Sequence, residues 1–290
     1  MSGIYKKSEI PDELQQYFVR AEIGMEETPE QFIAALVEVF RCVRDVLADD
    51  GVLWLNLGDS YGKRKQLLGM PWRVALALQA DGWTLRQDIV WSKPNPMPES
   101  VTDRCTKSHE YIFLLSKEER YYYDAEAIKE QVSASTVARL SQDVASQRGS
   151  DRVPSKTNGA MKAVRSARNS FKRDRSKCEQ AIPCQSAGTH RPDRVESEYS
   201  LDTRNKRSVW TVPTTPYSGA HFATFPTALI EPCILAGSRA GDIVLDPFFG
   251  SGTAGEVAQH LGRQYIGCEL NRDYEPLQHE RTRQIGLVFA

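Results

Sequence analysis

With 290 residues, 40% of them hydrophobic, the chain has material for one large α/β domain with an insertion, or for two small domains. No apolar run approaches the roughly 18 residues of a membrane span, and Met1-Ser-Gly-Ile-Tyr-Lys6 has no apolar signal core, so a cytoplasmic protein without a membrane partner is expected. The net charge of −1 hides a split: residues 148–177 hold ten Lys/Arg against Asp151 and Asp174, a local +8, which leaves −9 on the rest.

Met1 to Glu22 is mixed and polar. Thr28-Pro-Glu-Gln31 is a helix start, with Thr28 as N-cap, Pro29 in the first turn and Gln31 in the capping-box position. Phe32, Leu36, Val39, Phe40, Val43 and Leu47 follow at helical spacing, and Asp50-Gly51 stops the helix. Val52 to Leu57 is a near-continuous apolar run, which predicts a central strand. Gly58-Asp-Ser-Tyr61 lies at its C-terminal edge, where open α/β sheets place their ligands. Asp59 and Tyr61 are therefore candidate pocket residues.

Pro71 to Ala80 reads as a second helix, and Trp83 to Trp91 alternates as a strand. Ser92-Lys-Pro-Asn-Pro-Met-Pro98 is a rigid loop, because its prolines remove backbone donors. Trp91 at the strand end, with Lys93 in this loop, could wall a pocket for an extruded base; plain core is the other reading of Trp91. His109 to Leu115 is a third strand, with Tyr121-Tyr-Tyr123 as a short partner. Neither His109 nor His221 belongs to a Cys/His pattern, so no metal is expected.

Val132 to about Lys206 is rich in Ser, Arg, Lys, Asn and Gln, and cannot bury enough apolar surface to fold alone. It is either a solvated linker or a DNA-contacting insertion whose cations neutralise phosphates. The six cysteines form no C-x-x-C pair, and most read as small core residues in a reducing compartment. Pro183-Cys184-Gln185 matches the nucleophile turn of cytosine-C5 methyltransferases but lies in the polar stretch, and is taken as coincidence.

Ile243 to Leu245 is a short buried strand closed by Asp246. Gly250, Gly252 and Gly255 then match G-x-G-x-x-G, Glu256 to Leu261 has helical composition, and Gln264 to Cys268 is a strand ending in Glu269. Strand, glycine turn and helix form the geometry that cradles a nucleotide-like ligand, and Glu269 stands where a ribose-binding acid belongs. A dinucleotide domain would need further strand–helix units after Glu269, whereas only about one helix and a tail follow.

Asp246-Pro-Phe-Phe-Gly-Ser-Gly-Thr253 resembles the AdoMet signature of DNA amino-methyltransferases, in the permuted group whose cofactor half follows the catalytic half. His221-Phe-Ala-Thr-Phe-Pro-Thr-Ala-Leu-Ile230, Leu55-Asn-Leu-Gly-Asp-Ser-Tyr61 and Trp91-Ser-Lys-Pro-Asn95 resemble that group as well. The resemblance implies an α/β, Rossmann-like methyltransferase fold: a mixed, mostly parallel sheet with helices on both faces, in permuted order. It implies a catalytic half at 23–130, a target-recognition insertion at 131–208 and an AdoMet half at 209–290, with 1–22 an extension or a truncated remnant. AdoMet would be held by Asp246, Phe248, Gly250, Gly252, Thr253 and Glu269, with Phe225 and Pro226 from the preceding motif; Phe222 could equally be core. DNA would be met by Arg165, Arg168, Lys172, Arg173 and Arg175. The implied partners are double-stranded DNA, a second copy of the chain and a restriction endonuclease, in a bacterial or phage setting. Cytosine N4 is favoured over adenine N6 by likeness to the PvuII-type enzymes.

The group's S/D/N-P-P-aromatic turn, which polarises the target amine, occurs nowhere in the chain. The central strand that carries it is also expected to be missing. The sequence starts late, or another chain supplies the piece, or the protein is a degenerate methyltransferase that binds AdoMet and DNA without turnover. A nicotinamide-dependent dehydrogenase is a further alternative.

Overall fold

The computed structural model describes residues 23–135, 137, 203–214 and 225–283. Two compact units divide the chain, one built from residues up to Ile128 together with those from Lys206 onward, the other from Lys129–Asn205. Among the described residues no helix is long and apolar enough to cross a membrane.

In the larger unit the first helix, α1 (Pro29–Val46), begins where the sequence places it: the Thr28 hydroxyl accepts from Gln31 N–H at 3.2 Å. The Gln31 side chain reaches back one residue further than a capping box would, taking Glu27 N–H at 3.2 Å. The strand β1 (Val52–Leu57) follows, then a 3-10 turn (Lys63–Lys65), α2 (Met70–Ala80), β2 (Thr84–Ser92) and β3 (His109–Ser116). In the smaller unit β4 (Glu130–Gln131) pairs antiparallel with β5 (Thr203–Arg204). The larger unit resumes with β6 (Val209–Thr211), α3 (Thr227–Gly237), β7 (Ile243–Asp246), α4 (Thr253–His260), β8 (Gln264–Gly267) and, after a second 3-10 turn, α5 (Glu275–Thr282).

A four-stranded sheet runs in the order β1-β3-β2-β6. Strand β3 is antiparallel to both β1 and β2, and β6 is parallel to β2, so three strands share one direction and β3 opposes them. A parallel pair, β7-β8, forms a second sheet.

Alternation along the strands sorts side chains to two faces. Leu55, Phe113 and Leu115 point to one face, where Leu36, Phe40 and Val43 of α1 and Val74, Ala75 and Leu78 of α2 cover them. Ile89, Trp91 and Ile112 point to the other, against Trp210 of β6 and Leu229 and Cys233 of α3. Strand β7 obeys the same division: Leu245 packs on the α1–α2 side, while Val244 packs with Ile234 of α3 and Val257 of α4. The two sheets thus share the same flanking layers, although among the described residues β1 is hydrogen-bonded only to β3 and β7 only to β8. Residues 1–22, the stretch in which the sequence lacks the expected central strand, lie outside the described residues.

Three expectations need correction. Strand β1, expected from its apolar run to be central, is an edge strand of the four-stranded sheet among the described residues, its apolar faces being covered by helices and not by a second neighbouring strand. Tyr121–Tyr123 forms no strand, because each ring is claimed by a different neighbour. Arg86 donates to the Tyr121 hydroxyl at 3.0 Å, the Arg239 guanidinium lies 3.9 Å over Tyr122, and Tyr123 sits 6.4 Å from Trp54. The cysteines are not mostly core: of the four described, only Cys233 is buried, while Cys42, Cys105 and Cys268 are exposed.

Phe113, fully buried at the centre of the α1–α2 face, is the test of this packing. Phe113→Ala is expected to lower the urea-unfolding free energy by about 3–5 kcal/mol, the cost of a lost aromatic and the cavity left behind. A loss under about 1 kcal/mol would show that this face is not the main core.

Candidate functional site

The site is built around the turn joining β7 to α4. Gly250 has φ 51° and Gly252, the N-cap of α4, φ 87°. Both angles are left-handed and suit glycine, and they turn the backbone back sharply enough for α4 to start. Asp246 closes β7, and its Oδ1 accepts from Phe248 N–H at 2.9 Å. Glu269, just past β8, accepts from Gly250 N–H at 2.7 Å through Oε2 and from Asn271 N–H at 2.8 Å through Oε1. One carboxylate therefore ties the glycine turn to the end of the neighbouring strand.

Beneath the turn the Phe249 ring stacks on Tyr265 at 5.5 Å and 11°. A Cβ on Gly267 would stand 2.2 Å from that ring, and one on Gly255 2.7 Å from it. These two glycines admit the phenylalanine that anchors the turn from below. Phe248 faces outward, about half exposed, with its ring 6.2 Å from Phe40.

From the far side α5 closes on the turn. Gln278 donates to the Gly250 carbonyl at 2.7 Å, and Arg281 donates to the buried Thr253 hydroxyl and lies 3.8 Å from Glu256. Gln278 and Arg281 escape sequence reading because α5 has no buried residue and so no apolar stripe. Their spacing of three, on the helix directly after the acid, is the only signal. Phe225 packs against the core that contains Trp91 and Trp210, and Pro226 is buried as the N-cap of α3. His221 and Phe222 lie outside the described residues, as do Arg165, Arg168, Lys172, Arg173, Arg175 and Cys184.

The second group of predicted residues gathers at the ends of β1 and β2. Asp59 accepts from Gly69 N–H at 3.1 Å and Met70 N–H at 2.9 Å, so it caps α2. Tyr61 is partly exposed beneath the Arg104 guanidinium, 4.3 Å from the ring centre. Trp91 is 3% exposed, and its indole N–H donates to the Val212 carbonyl at 2.8 Å. Its ring is core, and the Lys93 ammonium stands 4.2 Å over it while pairing with Glu110. Lys107 donates to the Asp59 carbonyl at 2.7 Å, and burial lowers its pKa despite nearby carboxylates. Glu110 and Lys107 carry no motif of their own, and only the fold brings them here.

Electrostatics single out Asp246. Burial raises its pKa; Phe248 N–H partly offsets this, and the charge of Glu269 adds to it. Oδ2 has no hydrogen-bond donor among the described residues. A desolvated carboxylate with a free oxygen, beside two left-handed glycines and an outward aromatic ring, suits a ligand bearing a cation and a planar base. AdoMet has both.

This arrangement belongs to a Rossmann-like methyltransferase fold. The PvuII DNA methyltransferase (cytosine-N4-specific) superposes with a TM-score of 0.59 over 89% of this chain and 74% of that one, at 16% identity. TTHA0409 of Thermus thermophilus, a candidate DNA modification methylase solved with S-adenosyl-L-methionine, superposes at a TM-score of 0.50 over 87% of this chain and 77% of its own, at 20% identity. The sequence profile of the N6/N4 DNA methylases matches residues 4–280, so the chain belongs to the DNA methylase family. The type II methyltransferase M.Cfr9I of Citrobacter freundii is 39% identical over 96% of this chain and 81% of its own length. M.SmaI of Serratia marcescens is 40% identical over 92% of this chain and 80% of its own.

The raised pKa of Asp246 yields a prediction for the ligand-free protein. The folded chain holds this proton to higher pH than the unfolded chain does. Below the unfolded value both states are protonated and the residue contributes nothing. Stability then falls as pH rises through the interval up to the raised folded value, and the deficit persists above it. Asp246→Asn keeps an acceptor for Phe248 N–H and removes the titration. It is expected to raise the thermal midpoint at neutral pH, with the gain vanishing in acid below the ordinary aspartate range. A variant destabilised at neutral pH would contradict the burial assignment.

Proposed function

We propose that this protein transfers the methyl group of AdoMet to an exocyclic amine of double-stranded DNA, cytosine N4 or adenine N6, as the modification partner of a type II restriction endonuclease. The observation that carries the reading is the convergence of Asp246, Glu269 and the Gly250–Gly252 turn. The kinship with M.Cfr9I and M.SmaI, named type II methyltransferases, supports it. The likeness to a cytosine-N4-specific enzyme favours cytosine N4.

AdoMet supplies an electrophilic methyl on a sulfonium centre. Glu269 has lone pairs beyond the two used by Gly250 and Asn271 N–H, and these accept the ribose hydroxyls. Asp246 faces the cofactor's ammonium, which offsets the desolvation of its carboxylate. The outward Phe248 ring offers an apolar face to the adenine, with Phe225 and Pro226 on the α3 side. Thr253, held by Arg281, keeps the start of α4 in place.

In the catalytic half, Asp59, Trp91 and Lys93 shape the region rather than react. Asp59 is spent on a helix cap, Trp91 is core, and Lys93 is paired with Glu110. The basic stretch with Arg165, Arg168, Lys172, Arg173 and Arg175 supplies phosphate contacts that hold the duplex in register. By this reading residues 23–130 form the catalytic half, 131–208 the target-recognition insertion and 209–290 the cofactor half.

Calorimetry should show AdoMet bound by the wild-type chain, and Glu269→Ala should weaken it by about 1–3 kcal/mol for a lost charged hydrogen bond. No binding by the wild type would contradict the proposal; unchanged affinity in the variant would remove Glu269 from the site. Tritiated-methyl incorporation into mixed genomic DNA by residues 1–290 alone is expected to be weak, since no S/D/N-P-P-aromatic turn is present to polarise the amine. Robust incorporation would assign that role to another turn, with Gly58–Tyr61 first.

A further inference from the structure

The loop after β1 holds a feature that the cofactor site does not use. Tyr61 and Leu67 form an isolated antiparallel bridge. Gly62 N–H donates to the Gln66 carbonyl at 2.9 Å, and Leu68 N–H to the Ser60 carbonyl at 3.0 Å. The loop is thereby closed on itself. At its tip stand Lys63, Arg64 and Lys65, all exposed.

Arg64 and Lys65 have φ of 61° and 59°, and no other non-glycine residue among those described has positive φ. A left-handed backbone crowds the Cβ against the next carbonyl, and two such residues in succession are uncommon. Strain of this kind persists where the surroundings enforce it, and it clusters at functional sites.

The enforcement is visible. Lys65 pairs with Asp103 at 2.6 Å, the Arg104 guanidinium covers Tyr61, and Lys107 holds the Asp59 carbonyl. Three links therefore moor this loop to the loop that follows β2. Lys63 and Arg64, by contrast, have no ion-pair or hydrogen-bond partner among the described residues. Residues 59–68 and 93–107 together carry six Lys/Arg against Asp59, Glu99 and Asp103. That surplus stands out on a body with −9 outside residues 148–177. It lies at the C-terminal ends of β1 and β2, the edge where open α/β sheets bind ligands.

We propose that the Tyr61–Leu67 loop is a second DNA-contacting element, separate from the 148–177 segment, whose Lys63 and Arg64 bind backbone phosphates beside the target base. The inference rests on the DNA methyltransferase reading. A moored loop gives up little conformational freedom on binding, so its cations are worth more than those on a free tail. Phosphate contacts here would set the register of the duplex against the reaction centre without reading sequence.

The test is duplex-DNA binding by the full chain across a salt series. Lys63→Ala with Arg64→Ala is expected to lower the magnitude of the log K against log salt slope by about two contacts' worth, at about 0.9 per phosphate, with AdoMet affinity unchanged. Arg64→Gly separates contact from folding: glycine accepts φ 61° without strain, so the thermal midpoint should stay level or rise while the slope falls by about one contact. Slopes equal to wild type in both variants would overturn the proposal and leave the methyltransferase reading standing. A wild-type chain with no salt-dependent DNA affinity would overturn both.

Discussion

The interaction on which the structure turns is the hydrogen bond from Gly250 N–H to the Glu269 carboxylate. It joins the loop after β7 to the residue after β8, and so makes one object of two segments 19 residues apart. It acts beside the backbone bond from Phe249 N–H to the Cys268 carbonyl at 2.9 Å, which ties the same two segments. The turn is fixed on one side by Glu269, on the other by Gln278 from α5, and from below by Phe249. Gly255 and Gly267 are needed because the Phe249 ring occupies the space their side chains would fill. The acid proposed to meet the ribose therefore also holds the turn on which that ribose would lie.

The fold supplies the level at which this object sits. Strand β7 sends Leu245 into the α1–α2 core and Val244 towards α3 and α4, so it keeps the layering of the larger sheet with no ladder to it among the described residues. Side-chain packing carries the alignment that backbone pairing carries elsewhere. Asp246 ends this strand in a desolvated position, at some cost in stability, and a cationic ligand would recover that cost. Binding and stability would then pull against each other at this residue, as is common where a charge is held ready for a partner.

Much of this was legible in the sequence because it is local. The Thr28 cap, the period of α1 and the apolar run of β1 each follow from neighbours in the chain, as does the glycine turn between two acids. What was not legible depends on long-range partners. Tyr121–Tyr123 has the aromatic composition of a strand, but Arg86, Arg239 and Trp54 pull its rings apart. Asp59 resembles a pocket acid until α2 is seen to begin over it. Strand β6 is three residues long and exists because β2 offers a parallel edge. Helix α5 has no buried residue and shows its purpose only through Gln278 and Arg281. Exposure of Cys42, Cys105 and Cys268 likewise follows from how the elements pack, which composition does not encode.

The central claim is that AdoMet binds on the turn held by Glu269. Amide hydrogen exchange with and without AdoMet tests it most directly, because the turn's own N–H groups report on it. The account predicts slower exchange across 246–253 and 269–271 when AdoMet is present, with little change in 109–116 of β3. Exchange unaltered at the turn, or protection confined to the ends of β1 and β2, would place the cofactor elsewhere and contradict the account.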